Sequence, residues 1–172
     1  MVTDLALALA LAMGCGGTPM DQQIPTYRNH NYRQRVDTLG VEAFVPSPAG
    51  RVWEVLPAVL TDLGLEINFR EPTIKRIGSC YQKTRVRLGT EALSTFVDCG
   101  DSRGLPNADR YDVALTVLVT VVPTSPTTTK IFTFLLGVGL ESSGTASSRI
   151  WCFSRGVLEE RIRTRLEQQT RT

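Results

Sequence analysis

Tyr111-Asp112-Val113-Ala114-Leu115-Thr116-Val117-Leu118-Val119-Thr120-Val121-Val122 is the stretch around which the rest of the chain arranges itself. Its odd positions, Tyr111, Val113, Leu115, Val117, Val119 and Val121, are all apolar, while Asp112, Ala114, Thr116, Leu118 and Thr120 are half polar. Side chains alternate across a β-strand, so one face of this strand belongs in a core and the other is partly wet. Pro123 to Thr127 supply turn residues. Thr129 to Val138 is apolar again, which predicts an antiparallel hairpin.

Working outward toward the C-terminus, Glu141 to Ser148 is rich in Ser and Gly and reads as a loop before a short strand, Ile150 to Phe153. Ser154 stands where a helix N-cap is expected. Val157, Leu158, Ile162 and Leu166 then give a buried stripe on a helix reaching Gln168. Arg155, Arg161, Arg163 and Arg165 share the rest of that helix with Glu159, Glu160 and Glu167 as a solvated face.

Toward the N-terminus, Ser94–Cys99, Ile74–Tyr81, Leu65–Phe69 and Val41–Val45 read as strands, with a turn at Glu71-Pro72-Thr73. Val52, Leu56, Val59, Leu60 and Leu63 mark a helix that opens at Pro48 with Ser47 as its cap and stops at Gly64. Pro57 inside it predicts a kink or two half-helices, because proline deletes a hydrogen bond and clashes with the preceding turn. The expected fold class is α+β: an antiparallel sheet of about five to seven strands packed by a kinked N-terminal helix and a C-terminal helix.

The element order, together with V-P-S-P-A-G-R-V-W-E-V-L over Val45–Leu56, resembles the START-like helix-grip families. It is also similar to the small helix-grip domains in the C subunit lipoprotein of the outer-membrane β-barrel assembly machinery. The resemblance spans about Val41 to Gln168. It implies a sheet gripping a helix, and it transfers no functional residue.

Leu5 to Met13 is an uncharged apolar run, and nine helical residues span roughly 14 Å, under half of a ~30 Å hydrocarbon core. A membrane-spanning helix is excluded there, whereas the length suits a secretion signal. Leu11-Ala12-Met13-Gly14-Cys15 resembles a lipoprotein signal, in which a small residue precedes a cysteine that is lipidated and becomes the new N-terminus. Residues 15–40 contain Pro19, Pro25 and Tyr27-Arg28-Asn29-His30-Asn31-Tyr32-Arg33-Gln34-Arg35 and read as a polar tether. The expected organisation is therefore a signal peptide at 1–14, a tether at 15–40 and a single α+β domain at 41–172.

With 172 residues, 42% of them hydrophobic and 21% charged, the chain has the composition of a globular domain. A formal net charge of +2 gives no ground for a nucleic-acid partner. Export permits disulfides. With Cys15 set aside, Cys80, Cys99 and Cys152 allow one bridge and leave one thiol. Cys99–Cys152, clamping the last helix to the sheet, is preferred to Cys80–Cys99 or to reduced core cysteines.

His30 is the only histidine and lies on the tether, so no nucleophile–base pair is legible and no zinc pattern exists. Asp98, Asp101, Asn107 and Asp109 cluster with glycines in a manner calcium accepts, but their spacing is that of turns rather than of an EF-hand. No metal and no cofactor are implied. The sequence points first to a non-enzymatic interaction or scaffold module, anchored to an envelope membrane (the outer one) and facing the periplasm, with an envelope protein as partner. The alternative is a carrier of lipid or small hydrophobic ligands, using a groove between the C-terminal helix and the sheet lined by Trp53, Phe132, Phe134 and Leu158. A hydrolase ranks third.

Overall fold

The computed structural model describes Cys15, residues 40–140 and residues 149–171. The expected signal, the tether with His30 and the loop at 141–148 lie outside the described residues. The folded unit is Gly40–Thr172. Its principal elements are β1 (Val41–Val45), α1 (Ala49–Asp62), β2 (Phe69–Glu71), β3 (Arg76–Arg85), β6 (Val97–Asp98), β9 (Asp112–Ser125), β10 (Thr128–Leu140), β11 (Arg149–Ser154) and α2 (Val157–Thr170). Between β3 and β9 lie two small hairpins, β4 (Arg87–Leu88) with β5 (Glu91–Ala92) and β7 (Asp101–Ser102) with β8 (Leu105–Pro106).

The main sheet has seven strands in the order β2-β3-β9-β10-β11-β6, with β1 also on β10. Every pairing is antiparallel. One edge of β10 pairs with β9 from Thr128↔Ser125 to Leu140↔Asp112. Its other edge is shared, since β1 takes Thr129 to Thr133 and β11 takes Leu136 to Leu140. The α+β class, the antiparallel sheet and the two flanking helices match the expectation from the sequence.

Val113, Leu115, Val117, Val119 and Val121 are all buried in the core, as the alternation demands, and Ile131 and Leu135 join them from β10. α1 supplies Val52, Leu56, Val59 and Leu60, and α2 supplies Leu158, Ile162 and Leu166, each 0% exposed. Burying one such side chain contributes roughly 1.5–3 kcal/mol, so either stripe suffices to seat its helix.

The same magnitude explains why Pro57 does not divide the helix in two. α1 is one continuous helix with Pro57 inside it. A mid-helix proline costs about 3 kcal/mol, less than the four fully buried side chains around it return. Of the two expected outcomes, a kink or two half-helices, the second is therefore corrected to a single element.

Ser47 is not the cap either. Pro48 occupies that position and no side chain caps the helix. Ser47 is buried and tied to the sheet instead, its carbonyl accepting from Thr129 Oγ1 at 2.6 Å.

Three strands differ from expectation, the one expected at Ile74–Tyr81 running Arg76–Arg85 with Ile74 and Lys75 in the turn before it. Where Leu65–Phe69 was expected, only Phe69–Glu71 is paired, and Leu65 to Asn68 approach it as irregular chain. Ser94–Cys99 is a 3-10 turn (Leu93–Thr95) followed by β6 alone, because Leu93, Phe96 and Val97 are buried at a non-alternating spacing.

β10 carries Gly137 where β11 crosses closely. A Cβ built there would stand 2.9 Å from Cys152 Cβ and 3.1 Å from Val113 Cγ1. Both neighbours sit in packed positions, and overpacking of a core costs about 1–3 kcal/mol. Gly137→Ala is expected to lower stability by that amount in chemical denaturation, with an unchanged slope. An unaltered midpoint would show that the strands separate freely at this point.

Candidate functional site

The covalent feature of the domain lies where the last strand meets the last helix. β6 and β11 pair through Phe153↔Asp98 and Ser154↔Val97, which brings the neighbouring cysteines together. Cys99 and Cys152 are bonded, with their Cα atoms 4.1 Å apart and a sequence separation of 53. Cys152 is 0% exposed and Cys99 is 6% exposed, so the bond belongs to the core.

The chain entering α2 is secured beside it. Arg155 N donates to Phe96 O, Gly156 N donates to Ser154 Oγ, and Ser154 Oγ donates to Glu159 Oε1 at 2.5 Å. Gly156 is the N-cap, in a left-handed conformation with φ 78°, so Ser154 acts from two residues further out than expected. Glu159 was expected on the solvated face but is buried. Its place in the first helical turn after a serine was the available signal, since such a carboxylate reaches back toward the cap.

Cys80, expected to be the leftover thiol, is disulfide-bonded, and so is Cys15. A sulfur in a disulfide carries no acyl thioether. Lipidation and oxidation are therefore alternative fates of the Cys15 sulfur.

The residues assigned to a ligand groove are not brought together. Leu158 is fully buried beneath α2. Phe132 and Phe134 alternate with Ile131, Thr133 and Leu135 and so lie on the opposite face of β10 from the core cluster. Trp53 is half-buried on α1, with Arg70 Cζ 5.2 Å and Lys75 Nζ 5.6 Å from its ring centroid. These four residues thus do not line one groove between the C-terminal helix and the sheet.

What lies along α2 instead is a polar recess of about 250 Å³ bounded by Asp62, Gly64, Gly89, Glu91, Arg161 and Arg165. Arg161 donates to Glu91 from its two terminal guanidinium nitrogens and lies over the Phe96 ring, its Cζ 5.0 Å from the centroid. That hydrogen-bonded contact, reinforced by charge, holds the Glu91 carboxyl below the usual carboxylate range and raises Arg161 in return. Arg163 is similarly occupied by Glu160 and Glu167. The helix face is a net of matched charges rather than an open anion site.

The acidic loop is braced by its own turns. Asp98 Oδ1 accepts from Gly100 N at 2.8 Å, and Asp98 Oδ2 lies 3.6 Å from Arg155. Asp109 accepts from Ser94 N and Ser94 Oγ at 2.8 and 2.6 Å. Asn107 Nδ2 donates to Cys99 O at 3.2 Å, and Asp101 is exposed in β7. Among the described residues, no group of three or more His, Cys, Asp or Glu side chains converges on a point.

Comparison with protein-family models, with characterised proteins and with solved structures found no match.

Closing a loop of this length contributes about 4 kcal/mol in the chain-entropy description. Cys152→Ser is expected to lose most of that in denaturation, and a reductant should bring a Cys15→Ser, Cys80→Ser protein, in which Cys99–Cys152 is the one bond, to a similar midpoint. A variant as stable as its parent would reduce the bond to an ornament of the core.

Glu91 gives a pH signature. Because its folded value is lowered, its contribution is complete at neutral pH and is lost as pH falls from about 4.5 downward. Glu91→Gln should therefore flatten the acid limb of the stability profile, and identical limbs would contradict the pairing.

Proposed function

We propose that the chain is an exported envelope protein whose domain works outside the cytoplasm as a non-enzymatic interaction or scaffold module. The observation that carries this reading is the buried Cys99–Cys152 bond. Structural disulfides persist in oxidising compartments such as the bacterial periplasm and are rare where thiols are kept reduced. The apolar run at Leu5–Met13 agrees with it, and residues 15–40 have a tether's composition.

The attachment we propose is a lipid on Cys15, on an envelope membrane and with the domain facing the periplasm. It requires acylation to precede oxidation of that sulfur. An envelope protein is the proposed partner. We further read the architecture as helix-grip-like, supported by α1 and α2 packing together on one face of the antiparallel sheet. The carrier alternative loses its groove residues, as described above.

Mass spectrometry of the N-terminal peptide from native cells is the direct test. The expected result is cleavage before Cys15 with an acyl-bearing mass on that residue, and membrane association that Cys15→Ser abolishes. An intact N-terminus in the cytosol overturns the export reading. A processed protein whose Cys15 is recovered only as cystine keeps export and removes the anchor.

A further inference from the structure

We infer that the end of the domain built from the β2–β3 turn and the α1 face beside it docks on an anionic phospholipid bilayer, through Trp53, Arg70, Ile74 and Lys75. It rests on the envelope reading, and it specifies which side of the domain meets the membrane. Ile74 sits at the tip of the turn Pro72–Lys75 and is 48% exposed, although it is a large aliphatic residue. Nothing in the turn itself calls for an isoleucine there.

The tip is rigidly presented. Lys75 N donates to Pro72 O at 3.2 Å, Lys75 O accepts from Val121 N at 2.9 Å, and Thr73 N donates to Glu71 Oε1 at 3.3 Å. Lys75 itself takes φ 49°, a left-handed conformation costly for a non-glycine residue. Hydrogen bonds at both ends of the turn hold Ile74 and Lys75 at the tip.

Beside the tip, the indole of Trp53 lies under two cations, Arg70 and Lys75. Neither cation belongs to any ion pair among the described residues, whereas the neighbouring Arg51 and Lys130 are answered by Glu54 and Glu42. Glu71 is the one acid at the tip. It leaves the Arg70–Lys75 pair in excess. On the adjoining strands, Phe44 (55% exposed) and Val122 (39% exposed) stand on either side of Lys130.

A half-buried tryptophan, an aliphatic tip and unanswered cations within one patch match the chemistry of a bilayer interface. Indole sits at headgroup depth, cations meet phosphates, and a single apolar side chain reaches the acyl boundary. A protein partner fits less well, because specific interfaces bury a cluster of anchors rather than one isoleucine rimmed by charge.

The test uses the full chain carrying Cys15→Ser and Cys80→Ser, which removes the acylation point and leaves no odd thiol. Trp151→Phe is added so that Trp53 is the one fluorophore of its kind. Flotation with phosphatidylcholine vesicles, with and without phosphatidylglycerol, reads the binding.

Binding to the anionic vesicles alone is expected, weakening as salt is raised, with a blue shift of Trp53 emission. Arg70→Gln and Lys75→Gln should each weaken it about fivefold, and Ile74→Ser should weaken it without changing the salt dependence. Thermal unfolding of each variant serves as the folding control.

No binding, equal binding to both vesicle types, or binding that these variants leave unchanged would overturn the inference. The anchor stands or falls separately. Acylated Cys15 without flotation removes the docking face alone, and flotation with unacylated Cys15 in cells removes the anchor alone.

Discussion

A slip of one residue between β9 and β10 would turn Val113, Leu115, Val117, Val119 and Val121 out of the core and put Asp112, Thr116 and Thr120 into it. Side chains on a strand alternate, so register and burial are one constraint here. The two strands pair along almost their whole length, and every other strand of the main sheet attaches to one of them or to a strand that does. Both helices lay their buried stripes on the face this register creates. The irregularity at Thr128/Thr129 is confined to the turn end, where it leaves the core positions in phase.

Given that frame, the remaining problem is the outer end of the sheet. β11 is six residues long and β6 only two, which is too little pairing to hold α2 in place. The Cys99–Cys152 bond closes the end covalently and does so inside the core, where solvent has no access to it. Ser154 and Glu159 then fix the entry into α2 with hydrogen bonds rather than apolar contacts. Arg161 completes the attachment from above by clasping Glu91 and covering Phe96, which belongs to the same buried layer as Val97 and Cys99. Surface ion pairs contribute little singly, so this net adds direction more than strength.

The hairpin, both helical stripes and the pairing of Cys99 with Cys152 were legible because each rests on a periodicity or on a local junction. What was not legible depends on tertiary surroundings. Pro57 stays inside a helix because the buried side chains around it outweigh it, and no local signal carries that comparison. Glu159 looked solvated because Glu, Arg and Gln dominate its helix, yet the serine before the helix draws its carboxylate inward. The groove failed for a simpler reason. Phe132 and Phe134 were grouped by chemistry with Leu158, but their even positions on β10 are opposite to Ile131 and Leu135. The alternation that identified the strand should have separated them.

The two ends of β10 thus have different physical characters. Around Gly137 the strand is crowded against Cys152 and Val113, with covalent closure and a filled core. Around Lys130, seven residues away and so roughly 24 Å along the strand, Phe44 and Val122 stay in solvent on either side of a lysine held by Glu42. A small domain gains nothing in stability from keeping Ile74 and Phe44 exposed, since burying either would contribute more than a kilocalorie per mole. That end is nonetheless packed on its inner face, where Val45, Val121 and Ile131 join the core, so the exposure of Phe44 and Val122 belongs to the outer face of the sheet alone.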